Sequence, residues 1–230
     1  MTVADSKGRR VDAATGIVAM VLFVVGFALP GTPPKADDSV QQITSFFVDN
    51  RGDILAGNTL VALGAVFFLW WLGSLRSYLR AGEGGEGRLS IAAFGGGIVG
   101  VTLTVAGAAI YSGTVFKVAE LGNPIVNRVL FDIGGDLLAI AGVGFTVLLG
   151  AASCSAARSG ALPPWAYWLG SVVTVTQLVS VAAIFASSGF FAAGGAFAFI
   201  AFLSAFVWVV AVSVLMIQRA GVPPIVRTEP

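Results

Sequence analysis

The sequence predicts an all-α fold. It is a single domain, residues 1–230, in which six transmembrane helices form a bundle and a short amphipathic helix occupies the first outer loop. Composition is the first observation behind this prediction. The chain has 230 residues, of which 57% are hydrophobic and 11% are charged, and its mean hydropathy is +0.91. An average soluble domain is about 25% charged. Because so few charges cannot cover a water-facing surface, we expect lipid to surround the protein.

Six apolar stretches are the second observation. About 20 apolar residues in a helix span the ~30 Å hydrocarbon core of a bilayer. The stretches that reach or approach this length are about 13–29, 54–75, 89–115, 129–151, 166–186 and 196–217. Turn signals rich in Gly, Pro and Ser separate them. These signals are PGTPP (30–34), GEGGEG (82–87), LGNP (121–124), SGALPP (159–164) and SSG (187–189).

The first apolar stretch follows Lys7, Arg9 and Arg10, a basic flank that suits either a signal peptide or a membrane anchor. Its run of about 17 residues is longer than the apolar region of a typical signal peptide. The stretch ends in FALPGTPP, which lacks an A-x-A cleavage site. We therefore predict an uncleaved anchor.

The first outer loop, residues 30–53, contains ADDSVQQITSFFVDNRG, which predicts a short amphipathic helix. Ser39 and the two aspartates before it offer N-cap chemistry. Apolar side chains recur at helical spacing at Val40, Ile43, Phe46 and Phe47. We expect this helix to lie in the outer interface or to cover the bundle, and a surface helix is favoured over a gate.

The distribution of Lys and Arg predicts that both termini are cytoplasmic, because cytoplasmic segments carry an excess of these residues. With the N-terminus inside, nine fall in inner segments: Lys7, Arg9, Arg10, Arg76, Arg80, Arg88, Arg158, Arg219 and Arg227. Four fall in outer segments: Lys35, Arg51, Lys117 and Arg128. Aromatic residues expected at the inner boundary agree with this orientation, namely Trp70, Trp71, Tyr78, Trp165, Tyr167 and Trp168.

The fourth stretch, NRVLFDIGGDLLAIAGVGF (127–145), carries three charged residues four positions apart: Arg128, Asp132 and Asp136. Residues at this spacing share one face of a helix. A carboxylate at the centre of a bilayer costs about 2.5–3.5 kcal/mol on insertion scales. We therefore expect the stripe to face the bundle interior, with Arg128 paired to Asp132 and Asp136 either protonated or paired elsewhere.

Neutral polar residues on other helices complete the predicted polar pocket, which opens outward. Asn58 in the second helix and Gln177 in the fifth are the candidate ligands beside Asp136. In this interpretation Asp136 is the ion or proton site, Asp132 modulates it and Arg128 is the counter-charge. The alternative is a hydrogen-bonded polar core that fixes helix register. The sequence leaves both open.

Gly96 and Gly100 form a G-x-x-x-G pair in the third helix. Small residues at this spacing let membrane helices approach closely. Close packing within the bundle is favoured over dimerisation. Gly134 and Gly135 lie between the two aspartates, where they could loosen the helix locally, as in broken transporter helices.

The residue types also exclude several classes of site. The chain has no His and a single cysteine, Cys154, which excludes an intramolecular disulfide and His- or Cys-based metal sites. A net charge of +1 without a basic stripe argues against a nucleic-acid partner. We expect no cofactor, no metal and no catalytic residues, and hence a protein that is not an enzyme.

Three segments carry a family resemblance: FFLWWLGSLRSYLR (67–80), LFDIGGDLLAIAGVGF (130–145) and SGALPPWAYWLGSV (159–172). With the spacing of the other helices, they resemble a group of bacterial, often actinobacterial, six-helix integral membrane proteins known as a domain of unknown function. The resemblance implies the six-helix architecture and a bacterial cytoplasmic (inner) membrane. It implies no activity and no functional residues.

Two functions follow as expectations. The first is transport or binding of a small solute or ion through the outward-opening pocket. The second is a non-catalytic structural or assembly subunit of a larger membrane complex. The expected partners are the lipid bilayer and either another membrane protein or further copies of the chain.

Overall fold

The computed structural model of the chain describes residues 3–118, 123–186, 188–192 and 195–220. Within these ranges the regular secondary structure is helical, with no strand. Some features named above lie outside the described residues: Leu121, Gly122, Ser187 and Arg227, and the side chain of Lys117.

The helices in the described residues are α1 (Val3–Ala28), α2 (Val40–Asp49), α3 (Arg51–Glu83), α4 (Arg88–Gly113), α5 (Pro124–Ser159), α6 (Pro164–Ser180) and α7 (Ala196–Arg219). A π-helical turn, Thr114–Val118, follows α4, and a 3-10 turn, Val181–Phe185, follows α6. Six of these helices are long and apolar enough to cross a membrane: α1, α3, α4, α5, α6 and α7, with α4 and α6 counted together with the turns that follow them. Helix α2 is too short. The predicted all-α bundle of six membrane-spanning helices is confirmed, and the chain is a multi-pass membrane protein.

Several helices extend beyond the apolar stretches that predicted them. The helix predicted at 54–75 runs to Glu83, and the one predicted at 129–151 runs to Ser159. Each ends at a glycine with positive φ, Gly84 (70°) and Gly160 (70°), a conformation that favours glycine. Hydropathy identifies the part of a helix that lies in lipid, whereas caps and glycines determine where the helix ends.

The six spanning helices form a closed ring in the order α1, α3, α4, α5, α6, α7, with α7 packed against α1. Aromatic side chains from helices that are not neighbours meet inside the ring. Phe68 of α3 lies 5.5 Å from Trp71 and 6.2 Å from Phe145 of α5, measured between ring centroids. Trp71 in turn lies 6.4 Å from Trp208 of α7. Side chains therefore fill the middle of the bundle at this level.

Trp71 corrects one expectation, since the sequence grouped it with the tryptophans of the membrane interface. Its side chain is fully buried, whereas the adjacent Trp70 is 63% exposed. Consecutive residues point about 100° apart on a helix, so only one of a WW pair can face lipid here. Trp165 and Trp168 are exposed, as an interfacial position requires.

The predicted amphipathic helix is present as α2, with Ser39 as its N-cap. The Ser39 hydroxyl accepts a hydrogen bond from the backbone N–H of Gln42, and the Gln42 side chain accepts one from the backbone N–H of Ser39. This is a capping box. Ile43 and Phe47 of α2 are buried, in a cluster with Phe131 of α5. We call the end of the bundle on which α2 packs the α2 end.

The opposite end of the bundle, here called the Arg219 end, contains the α5–α6 loop. Both Tyr78, near the end of α3, and Arg219, at the end of α7, donate a hydrogen bond to the backbone carbonyl of Ala161 in this loop. Trp70 of α3 donates a hydrogen bond to the Asp12 carboxylate of α1 at 2.9 Å. These contacts join α1, α3 and α7 and the α5–α6 loop toward one end of the bundle.

Candidate functional site

The start of α5 sets the register of the charged stripe. The Asn123 side chain accepts a hydrogen bond from the backbone N–H of Val126 at 3.4 Å, an N-cap interaction. Pro124 occupies the first turn, where its missing N–H leaves no hydrogen bond unmade. From this start, Arg128 and Asp132 lie one turn apart on the same face.

Arg128 forms an ion pair with Asp132 and also donates hydrogen bonds to the segment before α2. Its Nε donates to the two carboxylate oxygens of Asp132 at 3.1 and 2.9 Å. Its terminal nitrogens donate to the backbone carbonyl of Asp38, at 3.0 Å, and to that of Ala36. The Arg128 side chain is 29% exposed and that of Asp132 is 46% exposed. The guanidinium therefore joins α5 to the loop between α1 and α2.

We expect Arg128→Ala to release this loop. The substitution removes both hydrogen bonds to the loop carbonyls, so the Lys35–Ala36 peptide bond should become several-fold more sensitive to trypsin in the detergent-solubilised protein. The control is Arg88→Ala, because Arg88 pairs with Glu86 in a solvent-exposed ion pair (side chains 86% and 77% exposed). Such pairs contribute at most about 1 kcal/mol. Equal cleavage rates at Lys35 in wild type and Arg128→Ala would show that Arg128 does not hold the loop.

Asp136 does not face the bundle interior. Its side chain is exposed and makes no hydrogen bond or ion pair with the residues that the structure describes. It lies among apolar side chains of α5 that are 37–49% exposed, namely Val129, Ile133, Ile140, Val143 and Val147. We call these six residues the Asp136 face. The expectation that the stripe points inward is wrong for Asp136 and also for Asp132, which is exposed.

The register of α5 explains this orientation. Phe131 and Ala141 are buried and point into the bundle. Five residues separate Asp136 from each of them, and five residues at about 100° each turn the helix by about 500°. Asp136 therefore points about 140° away from both, on the opposite side of the helix. Gly134 and Gly144, which lie against α4, hold the interior face in this position.

Asn58 and Gln177 do not join Asp136. The Asn58 side chain donates hydrogen bonds to the Ala108 carbonyl and to the Ser112 hydroxyl of α4, both at 2.9 Å. Gln177 is 5% exposed and donates to the Ala201 carbonyl of α7 at 2.7 Å. Each amide thus links its helix to a neighbouring helix. Of the five predicted site residues, the described structure brings together only Arg128 and Asp132.

A cleft of about 380 Å³ lies elsewhere, between the loop before α2 and the loop before α7. Lys35, Asp37 and Phe190 are among the residues that line it, and none of the five predicted site residues does so. The five residues that predicted an outward-opening pocket around Asp136 therefore do not line a common pocket in the described structure.

Asn127 is a buried polar residue that the sequence reasoning did not select. It is fully buried, and its Nδ2 donates to the Thr44 hydroxyl of α2 at 3.3 Å. Its Oδ1 is buried without a hydrogen-bond partner among the described residues. The signal was available, because Asn127 precedes the apolar Phe131 by one turn and shares its face. Asn127 helps to fix α2 on the bundle.

Gly96 and Gly100 lie at the contact between α4 and α5. A Cβ atom on Gly96 would come within 2.6 Å of the Leu148 backbone nitrogen and 2.7 Å of the Gly144 carbonyl oxygen. One on Gly100 would come within 2.9 Å of the Phe145 ring. Real Cβ atoms essentially never approach a neighbour so closely. These glycines therefore pack against α5 inside the bundle, and they are not available for contact with another chain.

Comparison with known proteins adds no family to this description. No protein-family model, no curated protein and no solved structure matches the chain. Its own residues are therefore the basis for any functional proposal.

Proposed function

We propose that the protein is a non-catalytic subunit or assembly component of a larger membrane complex, and that it meets its partner through the Asp136 face. One observation carries this proposal. A carboxyl group lies within the membrane-spanning part of α5, is exposed among valine and isoleucine side chains, and makes no hydrogen bond or ion pair within the described chain.

The depth of Asp136 makes this exposure unfavourable in lipid alone. It lies eight residues beyond Arg128, or about 12 Å along the helix axis. A carboxylate well inside the hydrocarbon core costs about 3 kcal/mol when a helix is inserted. A second protein helix that supplies a hydrogen-bond donor would remove much of this cost. The exposed carboxyl group is thus better explained as part of an interface than as a lipid-facing residue.

The packing supports a subunit more strongly than a transporter. The side-chain amides of Asn58 and Gln177, the predicted neutral ligands, donate hydrogen bonds to neighbouring helices. The aromatic rings of Phe68, Trp71 and Trp208 fill the middle of the ring of helices. A route for a solute past these residues would require the helices to separate.

The same proposal includes a location and an orientation. The protein would lie in the bacterial cytoplasmic membrane, with the α2 end outside and both termini in the cytoplasm. Nine Lys and Arg residues in the inner segments against four in the outer segments support this orientation. The exposed Trp70, Trp165 and Trp168 lie on the helix segments nearest the Arg219 end, as expected for one interfacial belt.

Purification from the native membrane in a mild detergent, followed by mass analysis of the intact particle, tests the proposal. We expect a particle that contains a second protein in a fixed ratio to the 23.5 kDa chain. The ratio should stay the same through a second purification step that removes loosely bound proteins. A particle whose protein mass is 23.5 kDa, or a whole multiple of it, would contradict the proposal.

A further inference from the structure

We propose that the partner at the Asp136 face is a different protein, and that its transmembrane helix places a Lys or Arg side chain against Asp136. This inference rests on the proposed function, since it specifies the chemistry of the partner that a subunit would meet.

The shape of the Asp136 face suits one helix. Its residues recur every three or four positions from Val129 to Val147, so they form a single stripe along α5. Eighteen residues at 1.5 Å each extend about 27 Å, close to the ~30 Å thickness of the hydrocarbon core. The stripe is therefore long enough to receive a spanning helix over most of the membrane. Asp136 is the one titratable group within it.

Charge complementarity identifies the side chain that the partner brings. In a medium of low dielectric constant, an ionised carboxylate is stabilised most by a cation in direct contact. The nearest cation on the same helix is Arg128, which is already bonded to Asp132 and to two loop carbonyls. The next basic residue along α5 is Arg158, 22 residues or about 33 Å away. Within α5 no cation is left for an ionised Asp136, so the counter-charge in this proposal comes from another molecule.

A second copy of this chain cannot provide that counter-charge at the right depth. The six apolar stretches contain no Lys, Arg or His, and their only charged residues are Asp132 and Asp136. Parallel copies that met through this face would bring two carboxyl groups together, and like charges disfavour ionisation of both. A different chain with a basic residue in its spanning helix is complementary to the Asp136 face.

Designed peptide helices in phosphatidylcholine vesicles can test this chemistry directly. One peptide is a Leu/Ala transmembrane helix with a single central Lys, and the other is identical except for Leu at that position. Cys154 is the only thiol, is exposed, and lies 18 residues or five full turns from Asp136 on the same side of α5. A fluorescent donor on Cys154 and an acceptor on the peptide report association by energy transfer.

We expect the full-length protein to bind the Lys peptide roughly 5- to 30-fold more tightly than the Leu peptide, because polar contacts between membrane helices in model peptides are worth about 1–2 kcal/mol. Asp136→Asn should remove this preference, and Asp136→Glu should keep most of it. The matched control is Asp53→Asn, which neutralises an exposed carboxylate in the first turn of α3, outside the apolar stretch. It should bind the Lys peptide like wild type.

Equal binding of the two peptides, or a preference that survives Asp136→Asn, would overturn the inference. Energy transfer between copies of the protein that Asp136→Asn abolishes would also overturn it, since a second copy would then be the partner. These results are separable from failure of the proposed function. A native particle with a second protein, combined with no preference for Lys, removes only the charge pairing, whereas a native particle without a second protein removes the subunit function itself.

Discussion

Gly96→Ala is expected to destabilise the bundle by about 3 kcal/mol, the upper part of the range for overpacked cores. The added Cβ would lie 2.6 Å from the backbone nitrogen of Leu148 and 2.7 Å from the carbonyl oxygen of Gly144. Both atoms belong to the backbone of α5, so no side chain can rotate away to make room. The two helices must separate, and every contact along their shared surface weakens. Unfolding of the detergent-solubilised protein by a denaturing detergent, followed by circular dichroism, measures the loss.

Gly95→Ala is the matched control, because it makes the same change one position earlier in the same helix. A Cβ on Gly95 would meet no heavy atom within 4 Å. Alanine is also the better helix former, by up to about 1 kcal/mol in water, so this variant should be as stable as wild type or slightly more stable. If Gly95→Ala and Gly96→Ala lost the same stability, the loss would not depend on contact with α5, and close packing of α4 on α5 would not explain it.

The architecture was predictable from the sequence because the bilayer sets its main dimension. A helix that crosses the hydrocarbon core needs about 20 apolar residues, and each of the six predicted stretches has a helix in the structure. The parts of the helices that extend beyond these apolar stretches were harder to predict from the sequence. For example, α1 begins at Val3, well before the apolar residues, because a helix can continue into water once the spanning part has formed. The composition of such an extension does not distinguish it from a loop.

The candidate site was predicted less well, and Asp136 shows why. A carboxylate is unfavourable in lipid, but this energetic rule does not say whether the same chain or another molecule provides its hydrogen-bond partner. The direction in which Asp136 points follows from the register of α5, which depends on how Gly134 and Gly144 pack against α4. A single sequence contains that information only indirectly, as the spacing of small residues around the helix.

Asn58 and Gln177 illustrate a second limit. Sequence reasoning placed both amides in a shared pocket because they lie at suitable depths in their helices. Each amide instead donates to a backbone carbonyl of an adjacent helix, Ala108 and Ala201 respectively. A polar side chain in a membrane bonds to the nearest acceptor, and which carbonyl is nearest depends on the helix packing.

Trp71→Ala is expected to destabilise the protein by about 3–5 kcal/mol, the usual range for deleting a large buried aromatic side chain. Trp71 is fully buried, stacks on Phe68 and meets Trp208 edge to face. Its Nε1 has no hydrogen-bond partner among the described residues, so the loss measures packing and not a broken hydrogen bond. In α1, Gly16 makes room for the ring, since a Cβ there would lie 2.4 Å from it.

The adjacent Trp70 separates this packing effect from the general preference of tryptophan for membrane interfaces. Trp70 is 63% exposed, and among the described residues the one hydrogen bond of its side chain is that to Asp12. Trp70→Ala should therefore cost only about 1 kcal/mol, the net value of a typical hydrogen bond. The same denaturing-detergent titration compares the two variants. A larger loss for Trp70→Ala than for Trp71→Ala would mean that interfacial anchoring, and not the aromatic centre of the ring, holds the bundle together. The opposite order would show that α3 and α7 depend on that centre for their contact.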